Sequence, residues 1–113
     1  MWELETPLVS SAITYAETSA ALAAARRARR LSRAAMNAAL RTLDAKWAVV
    51  TALDVDDRLT RAAGIVAVRH GLRGMDSIHL ASAMAIAHAQ PVVVSWDAEL
   101  RRAARAEGLA VST

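Results

Sequence analysis

Short apolar runs rich in β-branched residues alternate along this chain with longer stretches of helical spacing, and that alternation narrows the possible folds more than any other feature. Leu8-Val9-Ser10-Ser11 opens the pattern as a short strand. A helix then starts within Ala12-Ile13-Thr14-Tyr15-Ala16-Glu17 and ends in Arg26-Arg27-Ala28-Arg29-Arg30, cations that complement the negative end of the helix dipole. Ser32 can cap a second helix, which carries Met36, Leu40 and Leu43 at helical spacing and ends near Trp47. Ala48-Val49-Val50-Thr51-Ala52-Leu53 reads as a second strand. An amphipathic helix follows from Asp56 or Asp57 through Leu59, Ala63 and Val66 to His70, stopped by Gly71.

Gly74 breaks the chain again, and Asp76 opens a nearly all-apolar helix, Ile78 to Ala87, expected to be buried on most sides. Val92-Val93-Val94-Ser95, after Pro91, is apolar enough to lie between two helical layers. Asp97 caps a helix over residues 98–107, Gly108 ends it, and Leu109-Ala110-Val111 forms a last strand. Strands that alternate with helices imply a parallel sheet with helices on both faces, and ligands in such sheets bind at the C-terminal strand ends. At 113 residues, with neither linker nor internal repeat, the chain is expected to form a single domain over 1–113.

Composition removes several chemistries. There is no cysteine, which excludes a disulfide framework, a thiolate metal site and a Cys nucleophile. No Gly-rich phosphate loop follows a strand, which disfavours a nucleotide binder. The first residues are acidic where a secretory signal is basic, and no apolar run reaches the roughly 18 residues of a membrane span, so a soluble cytoplasmic protein is expected. Formal charge is +3, and 13 of the 14 cations are Arg, a bias suited to phosphate or carboxylate partners through bidentate guanidinium pairing.

Three acids stand alone in apolar surroundings. Glu17 is the only charged residue between Glu5 and Arg26, on the helical face of Ile13, Ala20, Ala21 and Ala24. Asp76 is the only one between Arg73 and Asp97, and Asp97 itself follows an apolar strand and Trp96. A buried carboxylate needs a cation or a proton. A divalent ion satisfies several at once, since Mg²⁺ and Mn²⁺ take carboxylate and water oxygens, and an acidified water can attack a phosphodiester. Simpler roles compete: Asp76 and Asp97 are both good helix N-caps, and Glu17 can face solvent or pair with an Arg.

The segment Val9-Ser10-Ser11-Ala12-Ile13-Thr14-Tyr15-Ala16-Glu17, followed by Ala20-Ala21-Leu22, resembles the second-acid segment of VapC-type PIN domains. Leu72-Arg73-Gly74-Met75-Asp76-Ser77-Ile78-His79-Leu80-Ala81-Ser82-Ala83 is similar to their third-acid motif, and Val92-Val93-Val94-Ser95-Trp96-Asp97-Ala98-Glu99-Leu100 to their fourth. The resemblance covers Leu8 to Val111 and implies a three-layer α/β/α PIN-like fold with a parallel sheet. It also implies a metal-dependent endoribonuclease that uses Mg²⁺ or Mn²⁺. Such a protein is usually the toxin of a toxin–antitoxin pair, homodimeric, and silenced by a VapB-like antitoxin whose tail reaches the acidic groove.

Carried over by position, Glu17, Asp76 and Asp97 are the catalytic and metal-binding acids, with Ser95 as a supporting hydrogen-bonder. His79, one turn beyond Asp76, can hydrogen-bond an acid, although packing is the commoner role. Arg26, Arg27, Arg29, Arg30 and Arg73 are candidates for binding RNA phosphates or an acidic antitoxin segment, against the simpler reading of the Arg26–Arg30 run as a solvated helix end. Trp47 and Trp96 are expected in the core or lining a groove rather than stacking on bases.

The family opens with an apolar strand ending in Asp, and here Met1-Trp2-Glu3-Leu4-Glu5-Thr6-Pro7 runs directly into the second strand. The expected fold is therefore incomplete at the N-terminus, without the central first strand and the first acid, and the reading favours a true start upstream of Met1. The competing function is a catalytically inactive PIN remnant that binds an antitoxin or a dimer partner.

Overall fold

The computed structural model describes residues 8–113; the expectations attached to Met1–Pro7 lie outside them. The elements run β1 (Leu8–Ser11), α1 (Thr14–Arg27), α2 (Arg33–Trp47), β2 (Val50–Leu53), α3 (Asp57–His70), α4 (Gly74–Ala85), β3 (Val92–Val94), α5 (Ala98–Ala106) and β4 (Ala110–Ser112), with a 3₁₀ turn at Ala87–Ala89. They divide into two compact units, one ending at Leu53 and the other running from Asp54 to Thr113. Both pairings are parallel, as the strand–helix alternation predicts, and each lies within one unit: β1 with β2, β3 with β4.

In the first unit Leu8 to Ser11 pair with Val50 to Leu53, and the ladder is extended by the Ala12 N–H donating to the Leu53 carbonyl at 2.8 Å. The helices of the intervening crossover are rich in Ala, the strongest helix former. Between them Arg29 takes a left-handed conformation (φ 61°) and the Arg30 N–H returns to the Ala25 carbonyl at 3.0 Å, which closes α1 as a glycine would. Ser32 caps α2, its hydroxyl accepting from the Ala35 N–H at 3.0 Å. At the far end of this helical hairpin the rings of Tyr15 and Trp47 lie 5.7 Å apart, and the Tyr15 hydroxyl donates to Asp44. That hydrogen bond to a carboxylate holds the phenol above its ordinary pKa.

The second unit is built around α3, α4 and α5. Asp56 caps α3 by accepting from Leu59 N–H at 2.9 Å, and Gly71 ends it at φ 66°, a conformation that strains any residue with a Cβ. Val66, Leu80, Leu100, Ala103 and Ala104 form one buried cluster, flanked by the half-buried Leu72, Met84, Val93, Leu109 and Val111. Leu59, Ala63 and Ala81 form a second. Removing a leucine-sized side chain from water contributes about 2–3 kcal/mol, so Leu80, fully shielded, is a principal anchor.

Four local expectations are corrected. Helix α4 starts at Gly74, two residues before Asp76, and no side chain caps it. Arg73 supplies an extended residue at the cap position, and the Ser77 N–H and hydroxyl close the first turn on the Arg73 and Gly74 carbonyls, at 2.9 and 2.6 Å. Asp76 is thus free of capping duty. Burial of α4 is confined to a stripe of Ser77, Leu80, Ala81 and Ser82, with Met75 exposed.

Strand β3 is not enclosed: Val92 and Val94 are 56% and 71% exposed, because only alternate side chains of a strand face the helix it covers. Trp96, just past the strand, is 87% exposed and lies outside the core.

Candidate active site

Within the second unit, two of the three sequence-selected acids meet one cation. Asp97 leaves β3 and caps α5, its Oδ1 accepting from the N–H groups of Glu99 and Leu100 at 2.9 and 3.1 Å. That leaves Oδ2 to face Arg73, whose Nη2 lies 3.5 Å away. The same nitrogen lies 3.4 Å from Oδ2 of Asp76, in the first turn of α4. A single guanidinium nitrogen therefore stands between the free oxygens of both carboxylates. Both acids are half-buried or more, with side chains 16% and 35% exposed, whereas Arg73 is 82% exposed and its hold on them is screened by water.

Ser95 supports Asp97 through the backbone. Its hydroxyl accepts from the Asp97 N–H at 3.0 Å, and its carbonyl accepts from Arg101 Nη1 at 2.9 Å, so the turn that presents the acid is held from both sides. Sequence did not assign Arg101 this positioning role. Its position one turn after the cap Asp97 is the signal that could have found it, since that spacing points the side chain back over the helix start. His79 is half-buried on α4, one turn beyond Asp76. Glu17 lies in the first turn of α1, half-buried, in the first unit.

Of the candidate cations, Arg73 joins the acids, while Arg26, Arg27, Arg29 and Arg30 lie at the turn between α1 and α2. A separate ion cluster closes the second unit: Glu107 accepts from Arg69 at 2.5 Å and meets His70 Nε2 at 2.7 Å. Those two hydrogen bonds, His70 first and then Arg69, hold the Glu107 carboxyl below its ordinary pKa against the opposing effect of burial.

Among the described residues no group of three or more His, Asp or Glu side chains gathers closely enough to hold a metal ion. The pair Asp76 and Asp97 nonetheless has the donor chemistry of a magnesium site, in which one or two carboxylates hold an ion that keeps several waters. The positive group already placed between them shows that their free oxygens address a common cation position.

Acids at the end of a parallel strand and at the start of the neighbouring helix define a class. The PIN domain family model matches residues 2–106, and the chain belongs to that family. It is 36% identical over 112 residues to Ribonuclease VapC45 of Mycobacterium tuberculosis (strain CDC 1551 / Oshkosh) and, to the same degree, to Ribonuclease VapC49 of Mycobacterium tuberculosis (strain ATCC 25618 / H37Rv). Each alignment takes in 99% of this chain and 78% of the relative, which places the chain among VapC-type PIN domains. No solved structure matches it significantly. Among the described residues no helix is long and apolar enough to cross a membrane.

Proposed function

We propose that this chain is a VapC-type endoribonuclease that hydrolyses RNA phosphodiesters with Mg²⁺ or Mn²⁺ held by Glu17, Asp76 and Asp97. The observation that carries the reading is the convergence of Asp76 and Asp97 on one cationic nitrogen. When bound, the ion supplies positive charge against the charge developing on the phosphodiester and acidifies water for the attack. The chain's own groups do the positioning. Asp97 is fixed by its cap bonds, by Ser95 and by the Arg101 hold on the Ser95 carbonyl, so one oxygen is committed to structure and the other faces Arg73. Asp76, released from capping, offers its carboxylate from the first turn of α4. Arg73 acts as a tethered counter-ion that yields to the metal, and its exposure lets the guanidinium swing out toward a phosphate.

In this reading residues 1–113 are one PIN-like domain of α/β/α layers that works in the cytoplasm as a homodimer and is restrained by a VapB-like antitoxin. The test is cleavage of a mixed RNA pool with Mg²⁺, with Mn²⁺ and with chelator, for the wild type and Asp76→Asn. Metal-dependent cutting lost in Asp76→Asn is the expected result. Absence of cutting by the wild type would move the assignment to an inactive PIN remnant that binds an antitoxin or a dimer partner.

A further inference from the structure

The turn between α1 and α2 concentrates positive charge without neutralising it. Arg26, Arg27, Arg29, Arg30 and Arg33 fall within eight residues, and no Asp or Glu occurs between Glu17 and Asp44. Among the described residues none of these five guanidinium groups has an ion-pair partner. Arg26, Arg29 and Arg33, with Leu31 and Ser32, line an open cleft of about 530 Å³. The Nε of Arg26, one of the lining side chains, is buried with no hydrogen-bond partner among the described residues. A solvated helix end does not account for that atom, because a guanidinium facing water would have its donors satisfied by water. The 15-residue helix α2 also begins at this cleft, with no acid in its first turn to offset its positive end.

We propose that this cleft is a docking site for a backbone phosphate of single-stranded RNA, remote in the chain from Asp76 and Asp97. The proposal rests on the ribonuclease reading for its choice of substrate. The lining itself favours a phosphodiester over an acidic protein segment. Leu31 is its one apolar residue, whereas protein partners depend on a buried apolar or aromatic centre that this surface lacks. Guanidinium groups with a helix N-terminus suit a phosphate and read no base, so the site would position RNA without selecting its sequence.

The left-handed Arg29 offers a clean test, because glycine is the residue that turn conformation favours. Binding of a non-cleavable 2′-O-methyl oligoribonucleotide is measured against salt concentration for the wild type, the double variant Arg29→Gly/Arg33→Gln, and Asp76→Asn. The double variant is expected to keep its Tm, to bind about tenfold more weakly at low salt, and to show a log–log salt slope shallower by about 0.7 for each phosphate it no longer neutralises. Asp76→Asn is expected to retain the wild-type slope while losing cleavage, so failure of the nuclease reading and failure of the docking site give different results. An unchanged slope in a folded double variant would overturn the proposal. So would an acidic peptide of equal charge that binds as tightly as the oligonucleotide and loses as much affinity in the variant.

Discussion

Nη2 of Arg73 lies 3.5 Å from Oδ2 of Asp97, an ion pair that joins the residue before α4 to the residue that caps α5. The same nitrogen is 3.4 Å from Asp76, so under the proposed function Arg73 and the metal ion compete for the same two acids.

Arg73→Gln should therefore tighten Mn²⁺ binding. Arg73 is 82% exposed, and exposed ion pairs contribute about 0.2–1 kcal/mol, so the gain expected in a calorimetric titration is about 1.4- to fivefold. Unchanged or weaker binding would show that Arg73 does not compete for the site.

Asp97 has two duties that substitution can separate. Asn keeps the cap, so Asp97→Asn should fold with nearly wild-type stability and lose RNA cleavage. Asp97→Ala should lose cleavage and also about 1 kcal/mol of stability, read by urea denaturation, because the N–H groups of Glu99 and Leu100 lose their acceptor. Equal stability of the two variants would remove the cap from the account.

Glu107 makes stability depend on acid pH. Its folded pKa lies below its ordinary 4.5, so the folded state holds this proton less tightly than the unfolded chain. The contribution is complete above that ordinary value and is lost as pH falls through the lowered one. Glu107→Gln should cost about 1–2 kcal/mol at neutral pH, where charge-assisted hydrogen bonds to Arg69 and His70 are forfeited, and should flatten the decline in Tm below the ordinary carboxylate pKa. A variant with the same acid decline as the wild type would exclude Glu107 as its source.

Leu80→Ala should cost about 3 kcal/mol in chemical denaturation, the scale of a cavity left by a fully buried leucine. A loss below about 1 kcal/mol would mean that the cluster of Val66, Leu100, Ala103 and Ala104 collapses to fill the space.

The order of elements and their parallel pairing were legible in the sequence because the signals are local: Ser32, Asp56 and Asp97 at helix starts, Gly71 after α3, and valine runs between. What sequence misread depended on three-dimensional neighbours. Asp76 resembles a cap in one dimension, yet Arg73 and Gly74 start the helix before it. Val92, Val94 and Trp96 look like core by hydropathy, but β3 offers only Val93 to the packed helix. The convergence of Asp76 and Asp97 joins residues 21 positions apart, and the Arg101 hold on the Ser95 carbonyl bends α5 chemistry back onto the strand end; neither arrangement has a periodic signature.

The two acids are mounted on helices that share one foundation. Asp76 rides on a helix pinned through Leu80, and Asp97 on the start of α5, which Leu100, Ala103 and Ala104 pin into the same buried cluster. A cavity opened in that one cluster would therefore reach the footing of both carboxylates at once, because close-packed interiors transmit strain.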